Sequence, residues 1–194
     1  MASSVSVIVL AGGTSRRFGS DKLAALLPDG VSVLDHCLLG MPPAWGVVVV
    51  GPSRVVPSAV AGRVRFVQES PVGGGPLAGV AAGLSLVRGD VVCVAAGDAP
   101  LAGSVLPLLV TALEGDSSVD AAVLSDGEGQ ANPLLAAYRV NALRDAMPGS
   151  PANLPARKLL SLAHRLVRLG VDVTDIDTPD DLNRFSSMKH QKRH

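Results

Sequence analysis

The sequence predicts one α/β domain of three layers, with helices on both faces of a mostly parallel sheet. Two observations carry that expectation. Short runs that are apolar at nearly every position recur along the chain, at residues 5–10, 46–50, 64–67, 91–95 and 121–124. Runs of that length and character suit strands buried on both faces. Between several of them lie stretches rich in Ala and Leu with helical character, and strands alternating with helices imply βαβ units with right-handed crossovers.

Taken in order, the first run is a strand, and the turn at Asp29-Gly30 precedes a helix over residues 33–39. The runs at 46–50 and 64–67 are the next two strands. A Gly/Pro cluster then opens a helix over 77–87, and the 91–95 strand follows. Ser104 is a suitable N-cap for a helix over 105–113, because its hydroxyl can accept from a backbone N–H of the first turn. After the 121–124 strand the pattern changes. Residues 133–138 read as a further strand, 140–147 and 156–169 as helices, and 171–175 as a last strand. A short helix is predicted to open at Pro179, capped by Thr178, with Asp180 and Asp181 complementing its N-terminal dipole.

Composition narrows the class. The 194 residues suffice for one domain with a substantial core, and 47% hydrophobic against 18% charged residues is a globular balance. With only 3% aromatics, the core must be built from Val, Leu and Ala. A formal net charge of zero gives no global basic field for nucleic acid. No linker divides the chain, so residues 1–188 are expected to form a single domain and the basic segment 189–194 a disordered, solvated tail. Cys37 and Cys93 show no metal spacing and do not argue for oxidative folding. The apolar start at residues 5–11 lacks a basic flank and is too short for a signal or membrane helix. A reduced, cytoplasmic protein is the expectation, with no membrane contact.

In open sheets of this type ligands sit beyond the carboxyl ends of the strands, so the residues that follow each apolar run carry the chemistry. The first run ends in Leu10-Ala11-Gly12-Gly13-Thr14-Ser15-Arg16-Arg17-Phe18-Gly19-Ser20-Asp21-Lys22. The glycines keep the loop free of Cβ atoms, so amide N–H groups can approach a phosphate. Arg16, Arg17 and Lys22 bring three cations to the same loop, where forked guanidinium groups and an ammonium can hold phosphate oxygens. This is not a P-loop: five residues separate Gly13 from Gly19, and Ser20 stands where Lys is required.

At these residues the chain resembles the molybdenum-cofactor nucleotidyltransferases, the molybdopterin guanylyltransferase (MobA-like) group in particular, whose signature LAGGTSRRFGSDK is similar to. The resemblance implies a Rossmann-like sheet of the nucleotide-diphospho-sugar transferase type. It also implies nucleotide contacts from Leu10, Ala11, Gly12 and Gly13, with Lys22 on the triphosphate.

The second glycine cluster, Gly73-Gly74-Gly75-Pro76-Leu77-Ala78-Gly79, contains a formal GxGxxA match at Gly73, Gly75 and Ala78. A dinucleotide fingerprint is disfavoured, since six residues separate Val67 from Gly74 and the match is not in the first βα unit. A turn of purely structural purpose stays open beside a loop that closes over base and sugar. GPLAG resembles the family's loop of the latter kind, which implies nucleotide contacts from Gly75, Pro76 and Leu77. Where family members carry an acid before the Gly-Pro pair, Val72 stands in this chain, and Glu69 or Gln68 is the substitute.

Asp98 follows the fourth run and Gly97, at a strand end where a carboxylate can hold Mg²⁺ against phosphate oxygens. GDAP resembles the family's metal-binding Asp-x-Pro element. Asp175 and Asp177 alternate along a predicted strand end and so share one side of the sheet. Asp177 is the candidate for the second metal contact, although the aspartate pair is more similar to cytidylyltransferase members. Residues 130–134 are candidates for an acceptor pocket, and Arg157 and Lys158 either reach an acceptor phosphate or form a solvated face. His36 and His164 have no partner at ligand spacing.

The residues alone support a site for Mg²⁺ and a nucleoside triphosphate. The resemblance adds transfer of GMP from GTP to molybdopterin with release of pyrophosphate, catalysed by Lys22, Arg17 and Asp98 with Asp98 and Asp177 as metal ligands. Guanine is favoured at Gly12-Gly13, where the second glycine is expected to spare a purine the crowding of a Cβ. The implied partners are GTP and a molybdopterin-type phosphate acceptor, with no nucleic acid, for a monomer or weak homo-oligomer. Two alternatives stay open: a cytidylyl- or other nucleotidyltransferase acting on molybdopterin, a sugar phosphate or an alcohol phosphate, and a non-catalytic nucleotide-binding domain.

Overall fold

The computed structural model describes residues 3–13, 21–126 and 128–169. Among these, seven strands form one sheet in the order β3-β2-β1-β4-β6-β5-β7. They are β1 (Val5–Leu10), β2 (Gly46–Val50), β3 (Val64–Val67), β4 (Val91–Ala96), β5 (Ala121–Ser125), β6 (Ala131–Arg139) and β7 (His164–Val167). The helices are α1 (Val33–Gly40), α2 (Ser58–Ala61), α3 (Pro76–Leu84), α4 (Ala102–Glu114) and α5 (Val140–Asp145). Every pairing is parallel except those of β6, which runs against both β4 and β5.

Alternation along each strand divides the apolar residues between two cores. Val7, Val9, Val49, Cys93 and Ala95 face one layer, where they meet Leu34, Cys37 and Leu38 of α1 and Leu106, Leu109 and Leu113 of α4. Ile8, Val48, Val50, Val92 and Val94 face the other, against Leu77, Val80 and Leu84 of α3 and Leu143 of α5. The change of face follows from the strand order. The chain steps outward from β1 to β2 to β3, then returns past β1 to β4 through α3, which lies on the face opposite α1 as a right-handed crossover in the reverse direction requires. That reversal falls between β1 and β4. α4 runs in the same direction as α3, from β4 to β5, yet lies on the α1 face. α3 and α4 therefore cannot both be right-handed crossovers, and the expectation of right-handed crossovers throughout is corrected.

The first five apolar runs form strands as expected, with β4 and β5 each one residue longer than the run. Three further expectations need correction. Residues 156–169 are not a helix. They form a 3₁₀ segment at Ala156–Ser161 and then β7, which pairs parallel with β5 from Ala121↔His164 to Leu124↔Val167. Backbone hydrogen bonds offered by the edge of β5 outweigh the helical spacing of the leucines. Ser104 is not an N-cap. α4 begins at Ala102, so Ser104 lies in its first turn and its hydroxyl donates to the Leu101 carbonyl at 2.7 Å. The helix predicted over 77–87 ends at Leu84. The predicted strand at 171–175, the helix at Pro179 and the tail 189–194 lie outside the described residues.

A candidate nucleotide site at the strand reversal

The four parallel strands β1 to β4 deliver their carboxyl ends to one edge of the sheet, and the reversal between β1 and β4 leaves a crevice there. A cleft of about 350 Å³ occupies it. Its lining comes from Leu10, Gly12 and Gly13 at the end of β1, Lys22 and Leu23 beyond it, Val50 of β2 and Glu69 after β3. Gly73, Gly75, Pro76 and Gly79 at the start of α3, Ala96 and Asp98 after β4, and Leu134 of β6 complete it.

The β4 side is charged. Lys22 Nζ makes an ion pair with Asp98 Oδ2, both side chains more than four-fifths shielded from solvent. Lys22 opens a 3₁₀ turn (Lys22–Ala24) that Asp21 caps, its Oδ1 accepting from the Leu23 N–H at 3.2 Å. The other carboxylate oxygen of Asp21 accepts from Arg54 Nη1 at 2.6 Å, reaching over from the segment after β2. From beneath, His36 Nδ1 of α1 lies 3.2 Å from the Pro100 carbonyl oxygen, so the turn carrying Asp98 is braced against α1. Burial pushes the Cys93 thiol pKa up, which leaves no reactive thiolate in β4.

The β3 side is built from glycines and one acid. Glu69 is only 7% exposed, and its Oε1 accepts from the Gly73 N–H at 3.1 Å. A Cβ added to Gly12 would stand 3.3 Å from that same oxygen, whereas one added to Gly13 would meet nothing within 4 Å among the described residues. Within the protein an added methyl is crowded at Gly12, while Gly13 opens onto the cleft, the space the second glycine is expected to leave for a purine. Gly75 takes φ 89° as the N-cap of α3, a conformation that side chains strain, and Pro76 fills the first helical position. The loop before them is tied down from two directions: the Gly74 N–H donates to Pro71 O at 3.0 Å, and the Asn153 N–H donates to Gly74 O at 2.7 Å.

Of the residues singled out in the sequence, Leu10, Gly12, Gly13, Lys22, Gly75, Pro76 and Asp98 line this one cleft. Ala11 and Leu77 are set back, with side chains 1% and 0% exposed in the two cores. Arg17 and Asp177, with Arg16 and Asp175, lie outside the described residues. Val72 is 72% exposed, while Glu69 supplies the buried acid on this side. Leu134 reaches the cleft, but Arg157 and Lys158 are exposed and do not line it. Arg54 went unnoticed in the sequence, although it follows an apolar run as closely as the cations of the first loop do.

Among the described residues no cluster of three His, Cys, Asp or Glu side chains could cage a metal by itself. Mg²⁺ does not need one, because it keeps several waters and binds through one or two carboxylates together with substrate phosphates. A single hard oxygen donor beside a phosphate-sized opening, as Asp98 provides, fits that chemistry.

The model of the MobA-like NTP transferase domain matches residues 7–168 of the chain. The probable molybdenum cofactor guanylyltransferase of Chloroflexus aggregans is 32% identical over 183 residues, covering 91% of this chain and 79% of that protein. The crystal structure of molybdopterin-guanine dinucleotide biosynthesis protein A from Archaeoglobus fulgidus superimposes with a TM-score of 0.70 at 26% identity, over 96% of this chain and 99% of that one. A nucleotidyl transferase from Methanothermobacter thermautotrophicus gives a TM-score of 0.72 at 22% identity, over 97% and 99% of the two chains, a likeness of fold.

Proposed function

The chain belongs to the MobA-like NTP transferase family, and on that premise we propose that it transfers GMP from GTP to the terminal phosphate of a molybdopterin-type acceptor. In this reaction an acceptor phosphate oxygen attacks the α-phosphorus, the bond from that phosphorus to the β-bridging oxygen breaks, and pyrophosphate leaves. No protein nucleophile is needed, and burial holds the Cys93 thiol protonated. Catalysis then consists of aligning two anions and neutralising the charge between them.

The chain's own residues divide that work. Lys22 and Asp98 hold one another across the cleft mouth, and productive binding exchanges that pair for two others. Lys22 turns to the triphosphate and shares the charge that grows on the leaving pyrophosphate. Asp98 is then free to hold Mg²⁺, which when bound supplies charge neutralisation at the phosphates. Gly75 and Pro76, at the N-terminus of α3, line the same cleft, and the positive end of a helix favours a phosphate there. Arg17 and Asp177 complete the reading as a second phosphate cation and a second metal ligand, both on the strength of the sequence.

The observation that supports guanine is the buried Glu69 carboxylate lying against Gly12. A carboxylate only accepts hydrogen bonds. Guanine presents two adjacent donors, N1–H and the N2 amino group, which one carboxylate can engage together. Cytosine presents a single amino donor next to acceptor atoms, and a buried acceptor facing them is left unpaired. No described helix is long and apolar enough to cross a membrane, and we place the reaction in the cytoplasm.

Pyrophosphate release from the four NTPs, with and without Mg²⁺ and with and without molybdopterin, tests this reading. Release that needs GTP, Mg²⁺ and molybdopterin together is the expected result. Release with CTP in place of GTP would overturn the guanylyl assignment, and GTP binding without turnover would favour a binding domain. Thermal shift gives a simpler first test, since a ligand at about 100 times its Kd stabilises by about 2.7 kcal/mol.

A further inference from the structure

We propose that Arg54 is a positioning residue for nucleotide binding, acting through Asp21 on Lys22; this rests on the nucleotidyltransferase reading above. The charged groups on this side of the cleft form an alternating row across three strand ends. Arg54 follows β2, Asp21 and Lys22 follow β1, and Asp98 follows β4, with ion pairs linking Arg54 to Asp21 and Lys22 to Asp98. Asp21 and Lys22 are neighbours in the chain, so the two pairs share one short piece of backbone.

Asp21 is tied at both oxygens. Oδ1 caps the turn that Lys22 opens, and Oδ2 receives Arg54 Nη1 at 2.6 Å. Arg54 Nε is buried and has no hydrogen-bond partner among the described residues. Among the described residues the Asp21 carboxylate is the one acceptor the guanidinium engages. A buried N–H left without an acceptor is unfavourable, so the contact with Asp21 is what the side chain's placement achieves.

Two consequences reach Lys22. The clamp fixes the backbone from which the lysine side chain must swing between Asp98 and a triphosphate. Arg54 also neutralises Asp21, which would otherwise set an uncompensated negative charge beside a polyanionic ligand. Arg54 itself does not line the cleft, so its influence runs through Asp21 and not through contact with the nucleotide.

A mutant cycle on Arg54 and Asp21 tests this. Arg54→Met should weaken Mg·GTP binding, measured by calorimetry, about fivefold, and Arg54→Lys should recover most of the loss. In an Asp21→Asn background, which keeps a capping oxygen and removes the charge, Arg54→Met should change affinity less than about twofold. An equal loss in both backgrounds would overturn the proposal, because Arg54 would then act independently of Asp21. So would Arg54→Met binding at wild-type strength. A second readout needs no nucleotide. The chain has four lysines, and after ¹³C-methylation the Lys22 resonance should move on Arg54→Met and stay in place when the same change is made in the Asp21→Asn background. If the wild-type protein binds no NTP, the nucleotidyltransferase reading fails, whereas an unmoved Lys22 resonance fails the clamp alone.

Discussion

The two sides of the cleft solve different problems with different materials. On the β4 side, Lys22, Asp98, Asp21 and Arg54 work through charge, and their ion pairs can be exchanged for others of the same sign pattern. On the β3 side, Gly12, Gly73, Gly75 and Glu69 work through shape and a single buried acceptor held by a backbone N–H. Groups that neutralise phosphate act on any nucleotide. On the proposed reading, a buried carboxylate packed close against Gly12 acts on one base edge. Substitutions on the first side should therefore alter rate for every NTP, and those on the second should alter the choice among them.

The largest effect is expected from Asp98→Asn, which keeps the turn and removes the anionic oxygen. Mg²⁺-dependent pyrophosphate release should fall by on the order of 10²–10³ while thermal unfolding stays cooperative. Near wild-type release would make Asp98 a turn residue and remove the charge argument for the β4 side. Lys22→Ala comes next. Its kcat/KM should drop by at least about tenfold, equally for each accepted NTP. A loss confined to one base would break the division between the two sides.

Smaller changes are expected across the cleft. Gly12→Ala presses a methyl to within 3.3 Å of Glu69 Oε1, and the carboxylate must shift by a few tenths of an ångström against its contact with the Gly73 N–H. The preference for GTP over CTP, read from the two kcat/KM values, should narrow by about tenfold. Glu69→Gln should narrow it too, by about fivefold, because the amide presents a donor as well as an acceptor. Gly13→Ala meets nothing within 4 Å among the described residues, and its kinetics should stay within about twofold of wild type for both nucleotides. A Gly13 variant that shifted base choice more than the Gly12 variant would place the discriminating contact on the wrong glycine.

Much of this was legible in the chain because the parallel strands are buried on both faces. A run such as Gly-Val-Val-Val-Val at β2 can hardly be anything else, and the rule that residues after such runs reach the ligand edge pointed to Gly12, Lys22 and Asp98, which the structure brings to one cleft. Applied evenly, it would also have found Arg54, four residues beyond the end of β2. β7 was illegible for the opposite reason. His164, Arg165 and Leu166 are exposed, and their strand state is set by the edge of β5, not by their own pattern. Glu69 was noted as a substitute acid, but no local signal told its side chain to turn inward. That depends on Gly12 and Gly73, which are close only after β1 and β3 are laid in one sheet.

One strand of the seven runs backwards, and this has a bearing on how such a protein diversifies. Because β6 is antiparallel to β4 and β5, its beginning and not its end arrives at the ligand edge. The register breaks between Val123 and Leu124, so that residues 133–135 bulge out, with Leu134 in the cleft wall and Leu135 buried 3% exposed in the core. The turn that feeds β6 is organised by Asp126, whose Oδ1 accepts from the N–H groups of Glu128 and Gln130. A hairpin of this kind can lengthen, shorten or change its tip without a new crossover helix and without moving any other strand. On the proposed reading, variation in the acceptor can thus accumulate at residues 126–134, while the half of the sheet that would hold the nucleotide is left as it stands.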